Sequence, residues 1–140
     1  KASQAGVEIE LQVRGICCLR PEVPSMSETV RVTSIVGRFL EHTRLYYFRN
    51  GGDEEIFCGS ADLMGRNLER RVETLFPIED PHLVRALRDD VLFLHLNDTV
   101  KSRRLLADGS WTRVSPANGE EPLSSQHHLV ERGGAWRSPS

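Results

Sequence analysis

Residues 42–62 read HTRLYYFRNGGDEEIFCGSAD. LYYF (45–48) is aromatic and β-prone, NGGD (50–53) is a turn signal, and EEIFCGS (54–60) returns as a second short strand. In an antiparallel hairpin, residues equidistant from the turn become neighbours. Folding about Gly51 and Gly52 therefore brings His42 and Arg44 to the same end as Gly59, Ser60 and Asp62. That end gathers an imidazole, a guanidinium, a hydroxyl and a glycine-loosened backbone. Such groups hold a phosphoryl oxygen and move a proton.

Upstream of the hairpin, VEIELQVRG (7–15) alternates apolar and polar residues until Arg14, which predicts a strand with one buried face. CCLRPEVPSMSE (17–28) carries two prolines and two serines and reads as a loop. VRVTSIVGRFLEH (30–42) starts strand-like. From Ser34 onward, Ile35, Val36, Phe39 and Leu40 fit helical spacing, with Ser34 as the cap. Downstream, SADLMGRNLERR (60–71) is a loop or irregular helical turn, and RVETLFPI (71–78) is a further strand. Asp80 caps and Pro81 opens the clearest helix, whose apolar face is Leu83, Leu87, Val91, Leu94 and Leu96, ending near Asn97. LLADGSWTRV (105–114) holds a DG turn between extended pieces and predicts a terminal hairpin. From Ser115 the chain turns rich in Ser, Pro, Gly and charge, so 115–140 is expected to be a disordered tail. His127 and His128 lie in it without partner ligands at metal-binding spacing. The alternation of strands and helices makes the fold class α/β, a mixed sheet flanked by helices, with one domain over 1–114.

The 140 residues suffice for one domain with a modest core. Hydrophobic residues at 39% and charged residues at 27% are ordinary globular values, and no run approaches the apolar length of a membrane span. The chain starts at Lys1 rather than Met and is expected to be a piece of a longer protein. Cys17, Cys18 and Cys58 form neither a disulfide framework nor a zinc spacing; they read as small buried thiols of a reducing, cytoplasmic setting. A net charge of −2 gives no global attraction to nucleic acid, and no nucleic-acid partner is expected. Of the eighteen basic residues, however, only Lys1 and Lys101 are lysine. A GC-rich genome produces such a bias without function; a need for guanidinium forks that grip phosphates bidentately produces it with function.

The placement of individual residues separates these readings. His42 is the centre of the case: Arg44 follows at i+2, so that on a strand both side chains point to one face, Gly59 and Ser60 return to the same end, and Arg66, Asn67 and Arg70 follow within a few residues. Ser60, Arg44, Arg66, Asn67 and Arg70 are candidate phosphate-binding residues. Arg14 ends a buried-pattern strand where Gly15 lets the backbone turn, and ligands of open α/β sheets gather beyond strand ends. A surface ion pair with Glu10 or Glu28 is the other reading of Arg14. His-x-Arg, followed by Gly-Ser and a downstream Asn, resembles the phospholipase D signature His-x-Lys, Asp, Gly-Ser, Asn. Arg44 stands in place of the lysine and Arg49 in place of the aspartate. That chemistry uses two histidines, one per motif copy, and a single copy is present here.

Longer phrases resemble one family. RGICCLRP (14–21), IVGRFLEH (35–42) and GSADLMGRNLERRVE (59–73), in this order, are similar to the C-terminal region of bacterial polyphosphate kinase, the resemblance running from about Ala2 through Val114. The chain resembles the second of that family's two phospholipase-D-like domains, without its opening portion. The resemblance implies reversible transfer of the ATP γ-phosphate to inorganic polyphosphate through a phosphohistidine in the preceding domain. It implies that His42 is the second essential histidine, facing the nucleotide phosphates, and that Arg14 binds ATP. Magnesium ligands are implied to lie in the preceding domain, and this piece to be inactive alone. The longer protein is expected to be a cytoplasmic homo-oligomer that can associate with membrane. A phospholipase-D-type phosphodiesterase and a non-catalytic polyanion-binding module are the alternative readings.

Overall fold

The computed structural model describes residues 1–132. In chain order the elements are a 3-10 turn at Ser3–Ala5, strands β1 (Ile9–Gln12), β2 (Val30–Ile35) and β3 (Leu45–Phe48), a 3-10 turn at Asn50–Gly52, and β4 (Glu55–Gly59). Helix α1 (Gly65–Arg70), β5 (Leu75–Pro77), α2 (Pro81–Ala86), a π-helical stretch (Leu87–Phe93) and α3 (Leu94–Leu96) follow. Strands β6 (Ser102–Leu105) and β7 (Trp111–Arg113) and helix α4 (Ser125–Arg132) complete the described chain. Among the described residues these elements form two compact units, one of Lys1–Glu41 with 94–132, the other His42–Phe93.

The first unit holds a four-stranded mixed sheet of order β1-β2-β6-β7. Parallel pairing of β1 with β2 requires a long crossover, which residues 13–29 provide. The other two pairings are antiparallel, and the hairpin of β6 and β7 turns at the expected DG. Alternation in the sequence becomes burial: Val30, Val32 and Leu105 are buried, with Ile9, Leu11, Val13 and Cys17 packed against them.

Residues 34–42 depart from the helix that their spacing suggests. Thr33, Ser34 and Ile35 pair with Arg104, Arg103 and Ser102, so Ser34 is a ladder residue rather than a cap. Beyond Ile35 the chain is neither helix nor strand up to β3. Val36, Phe39 and Leu40 stay exposed, so a helix here would bury no apolar face.

The expected disorder of 115–140 is also corrected over its described part. Ser125–Arg132 is helical, and Ser125 and Gln126 are buried. Fully buried Asp98 accounts for this. Its Oδ1 accepts hydrogen bonds from the backbone N–H of Val100, Lys101 and Ser102, and its Oδ2 accepts from Ser125 N and Oγ, both at 2.8 Å. A segment poor in apolar residues is ordered here by satisfying a buried carboxylate. His127 lies on α4, with Nδ1 at 3.4 Å from the exposed Glu131 Oε2. Residues 133–140 lie outside the described residues.

The second unit is a three-stranded antiparallel sheet of order β3-β4-β5 with Ile56 buried. Leu45 pairs with Cys58 and Phe48 with Glu55, which centres the hairpin on Gly51 and Gly52 as its sequence predicts. The turn needs left-handed backbone at consecutive positions: Asn50, Gly51 and Gly52 have φ of 44°, 67° and 117°. Asp80 caps α2, its Oδ1 accepting from the N–H of His82 (2.7 Å) and Leu83 (3.1 Å), and these bonds hold its carboxyl below the ordinary value. The helical run from Pro81 reaches Leu96 as predicted, but passes through the π-helical stretch on the way. Sheet and helix join at Tyr47, edge-on to Phe93 at 6.0 Å and donating to Glu54 Oε1.

Candidate active site

The open end of the β3–β4 hairpin is where the sequence concentrates its chemistry. Gly59 N donates to Arg44 O at 3.0 Å, extending the ladder one residue beyond the strands. Ser60 N donates to Thr74 O at 3.0 Å, so β5 closes the same end from the other side. His42 and Arg44 precede β3 rather than sharing a strand face, yet their side chains meet. Arg44 Nη1 lies 2.7 Å from His42 Nδ1 and donates to the His42 carbonyl at 2.9 Å. Arg44 Nε donates to Asp62 Oδ1 at 3.1 Å, and Nη2 lies 3.0 Å from the same oxygen. His42 itself is exposed.

Ser60 and Asn67 are brought together by a residue whose sequence context carries no signal. Ser60 Oγ donates to Glu73 Oε2 and accepts from Thr74 N, while Asn67 Nδ2 donates to Glu73 Oε1 at 3.1 Å. The Ser60 hydroxyl is the main cause, with Asn67, Arg71 and Arg44 adding, of a Glu73 carboxyl held below its ordinary value. Asn67 is buried and its Oδ1 has no hydrogen-bond partner among the described residues. In RVETLFPI, Glu73 reads as an ordinary polar strand residue; only the pairing of Gly59 with Leu75 returns it to Ser60. Arg66 and Arg70 lie one turn apart on α1, both exposed. The three thiols are not the buried ones expected, Cys18 being exposed and Cys17 and Cys58 only partly buried; burial pushes the Cys58 thiol up, the opposite of an activated thiolate.

Arg14 belongs to the first unit, where Nη1 donates to the Glu41 carbonyl at 2.6 Å. With Arg38, Phe39, Arg103 and Trp111 it lines a groove of about 730 Å³. Glu10 pairs with Arg31, its cross-strand neighbour, at 3.5 Å. The segment that leads to Glu41 is held by Gln126, which accepts from Phe39 N at 3.1 Å and donates to Phe39 O at 2.8 Å and to Glu41 Oε1. The buried His95 adds a contact from Nε2 to Glu41 Oε2 at 3.2 Å. Neither Gln126 nor His95 stands out in the sequence, because each acts through a partner far along the chain. Among the described residues no three His, Cys, Asp or Glu side chains cluster as a metal site. The described residues therefore offer no all-protein cage for a magnesium ion.

Comparison with known proteins adds the lineage. The family described as "Polyphosphate kinase C-terminal domain 2" matches residues 1–126. The chain belongs to this family. Polyphosphate kinase 1 of Chlorobaculum tepidum is 53% identical over 132 residues, which cover 94% of this chain and 18% of that protein. Polyphosphate kinase of Pseudomonas aeruginosa is 52% identical over 132 residues, covering 94% of this chain and 19% of that one. The crystal structure of polyphosphate kinase from Porphyromonas gingivalis superposes with a TM-score of 0.87 at 44% identity, over 94% of this chain and 20% of that one. The mixed α/β architecture is thus that of the polyphosphate kinase C-terminal domain, and the chain spans about a fifth of the length of these relatives.

Proposed function

We propose that this chain is the His42-bearing part of an enzyme that reversibly transfers the terminal phosphoryl group of ATP to inorganic polyphosphate. In the forward direction the γ-phosphorus–oxygen bond to ADP breaks and a phosphorus–nitrogen bond forms on a histidine of the preceding domain. The observation that carries the reading is the hairpin mouth: His42 exposed, its ring held by Arg44, in a chain of the polyphosphate kinase family. Phosphoryl transfer asks little of a protein beyond positioning and charge stabilisation, and an oriented imidazole supplies both at one point.

Arg14, and the exposed Arg66 and Arg70, are proposed to neutralise phosphate oxygens of nucleotide or polyphosphate; Arg14 is supported by its groove with Arg38 and Arg103. Ser60 and Asn67 are proposed to orient phosphate by exchanging their bonds to Glu73 for bonds to ligand. Magnesium would be held outside this chain, so no step here passes through it. A cytoplasmic setting is proposed on three free thiols, Cys17, Cys18 and Cys58.

The test is ATP formation from ADP and polyphosphate by the intact enzyme beside its His42→Gln variant. A fall in kcat of about a hundred-fold or more with the fold preserved is expected, the range in which a lost acid–base or hydrogen-bonding group acts. Unchanged transfer would return His42 to a structural role.

A further inference from the structure

Arg44 occupies the position at which a motif of the phospholipase D type carries its phosphate-gripping cation, yet its guanidinium is already engaged. Nε and Nη2 face Asp62 Oδ1 at 3.1 and 3.0 Å. Nη1 faces His42 Nδ1 at 2.7 Å and the His42 carbonyl at 2.9 Å. The pair is largely sequestered, with side-chain exposures of 17% for Arg44 and 27% for Asp62. A guanidinium only donates hydrogen bonds and stays charged in proteins. The ring nitrogen facing it must therefore be the acceptor, and the ring proton lies on Nε2.

We propose that Arg44, anchored by Asp62, is a positioning residue that fixes His42 as its Nε2–H tautomer, so that His42 meets the phosphates as a neutral hydrogen-bond donor. This deepens, and rests on, the reading of His42 given above. The chemistry suits it. When the γ-phosphorus–oxygen bond of ATP breaks, its electron pair stays on the β-phosphate oxygen of ADP, which is stable as an anion. That oxygen needs a hydrogen bond, which Nε2–H supplies, and no transferred proton. A second proton on Nδ1 would set N–H against N–H across 2.7 Å. These contacts use four of the five guanidinium N–H groups, so a bidentate grip on phosphate would require Arg44 to give up His42 or Asp62.

Nitrogen NMR of the intact enzyme carrying isotope-labelled histidine tests the tautomer directly, the His42 signals being assigned by their loss in His42→Gln. Expected are an unprotonated Nδ1 and a protonated Nε2; a protonated Nδ1 overturns the proposal. Kinetics tests the role. Arg44→Met and Asp62→Asn should each lower kcat by about ten- to a hundred-fold with KM for ATP nearly unchanged, and Arg44→Lys should recover part of the loss. A phosphate-binding Arg44 behaves oppositely. Arg44→Met would then raise KM, and Asp62→Asn, by releasing the guanidinium, would leave kcat intact. That pattern overturns the proposal. Full transfer by His42→Gln would remove the functional reading and the kinetic half of this proposal, whereas the nitrogen spectrum judges the tautomer by itself.

Discussion

Each unit contains a carboxylate network, and the two are built differently. Asp98 is fully buried and takes four of its five hydrogen bonds from backbone N–H groups, with the fifth from Ser125 Oγ. At the hairpin mouth Asp62 and Glu73 receive donors from the side chains of Arg44, Ser60 and Asn67, beside an exposed imidazole. Backbone donors at fixed positions saturate a carboxylate and lock chain segments together. Side-chain donors can exchange one acceptor for another, and a phosphate offers the same kind of oxygen. A saturated, buried network holds structure; at the hairpin mouth the donors proposed to exchange are Ser60 and Asn67 on Glu73, while Arg44 stays with His42 and Asp62.

The sharpest way to break this contrast is Asp98→Ala. The N–H groups of Lys101, Ser102 and Ser125 and the Ser125 hydroxyl would lose their acceptor in a buried site, while Val100 N–H would keep the Leu123 carbonyl, a loss of about 3–5 kcal/mol on the scale of broken buried charged networks. Hydrogen exchange should show it as lost protection at Lys101, Ser102 and Ser125. Retained protection at these amides would mean that α4 is held by something other than Asp98.

A smaller effect is expected at Gly37. A Cβ there would lie 2.2 Å from Gln126 Oε1. Gln126 is buried and bonded to Phe39 at both N and O, so it cannot withdraw without giving up those bonds. Gly37→Ala should cost about 1–3 kcal/mol by overpacking, read as faster exchange of the Phe39 amide. Exchange no faster than in the parent would show that the amide of Gln126 swings aside freely.

The smallest effect concerns acid. The folded-state value of Glu73 is lowered, so its contribution to stability is complete above the ordinary value of 4.5 and is lost as pH falls through the lowered folded value. In Glu73→Gln the melting temperature should depend less on pH below about 4.5, with little change near neutrality. An unchanged acid limb would mean that Ser60 and Asn67 do not favour the ionised carboxylate.

The legible parts of this chain are those in which neighbours in sequence are neighbours in space. The hairpin about Gly51 and Gly52, the cap at Asp80 and the DG turn of β6 and β7 each follow from local residues, and each is found where it is expected. Arg44 and His42 were legible as a pair for the same reason, standing two residues apart. Residues 34–42 misled because helical spacing is a local pattern, while the partner that claims Thr33, Ser34 and Ile35 lies some seventy residues on, at Ser102–Arg104. The tail misled for the same reason in reverse. Its composition lacks core formers, and the group that orders it is a single carboxylate on Asp98, 27 positions upstream of Ser125.

By itself, then, the sequence determined the α/β class, the hairpin and its register, the gathering of His42, Arg44 and Ser60 at one end, and the family. Periodicity and turn chemistry act over a few residues and leave their mark there. Tertiary structure alone decided that Glu73 joins Ser60 to Asn67, that Gln126 holds the segment before His42, and that Arg44 spends its fork on His42 and Asp62. These are choices among hydrogen-bond partners of similar strength. Which partner wins depends on the distances that the packed chain imposes, and these are set only once distant segments have come together.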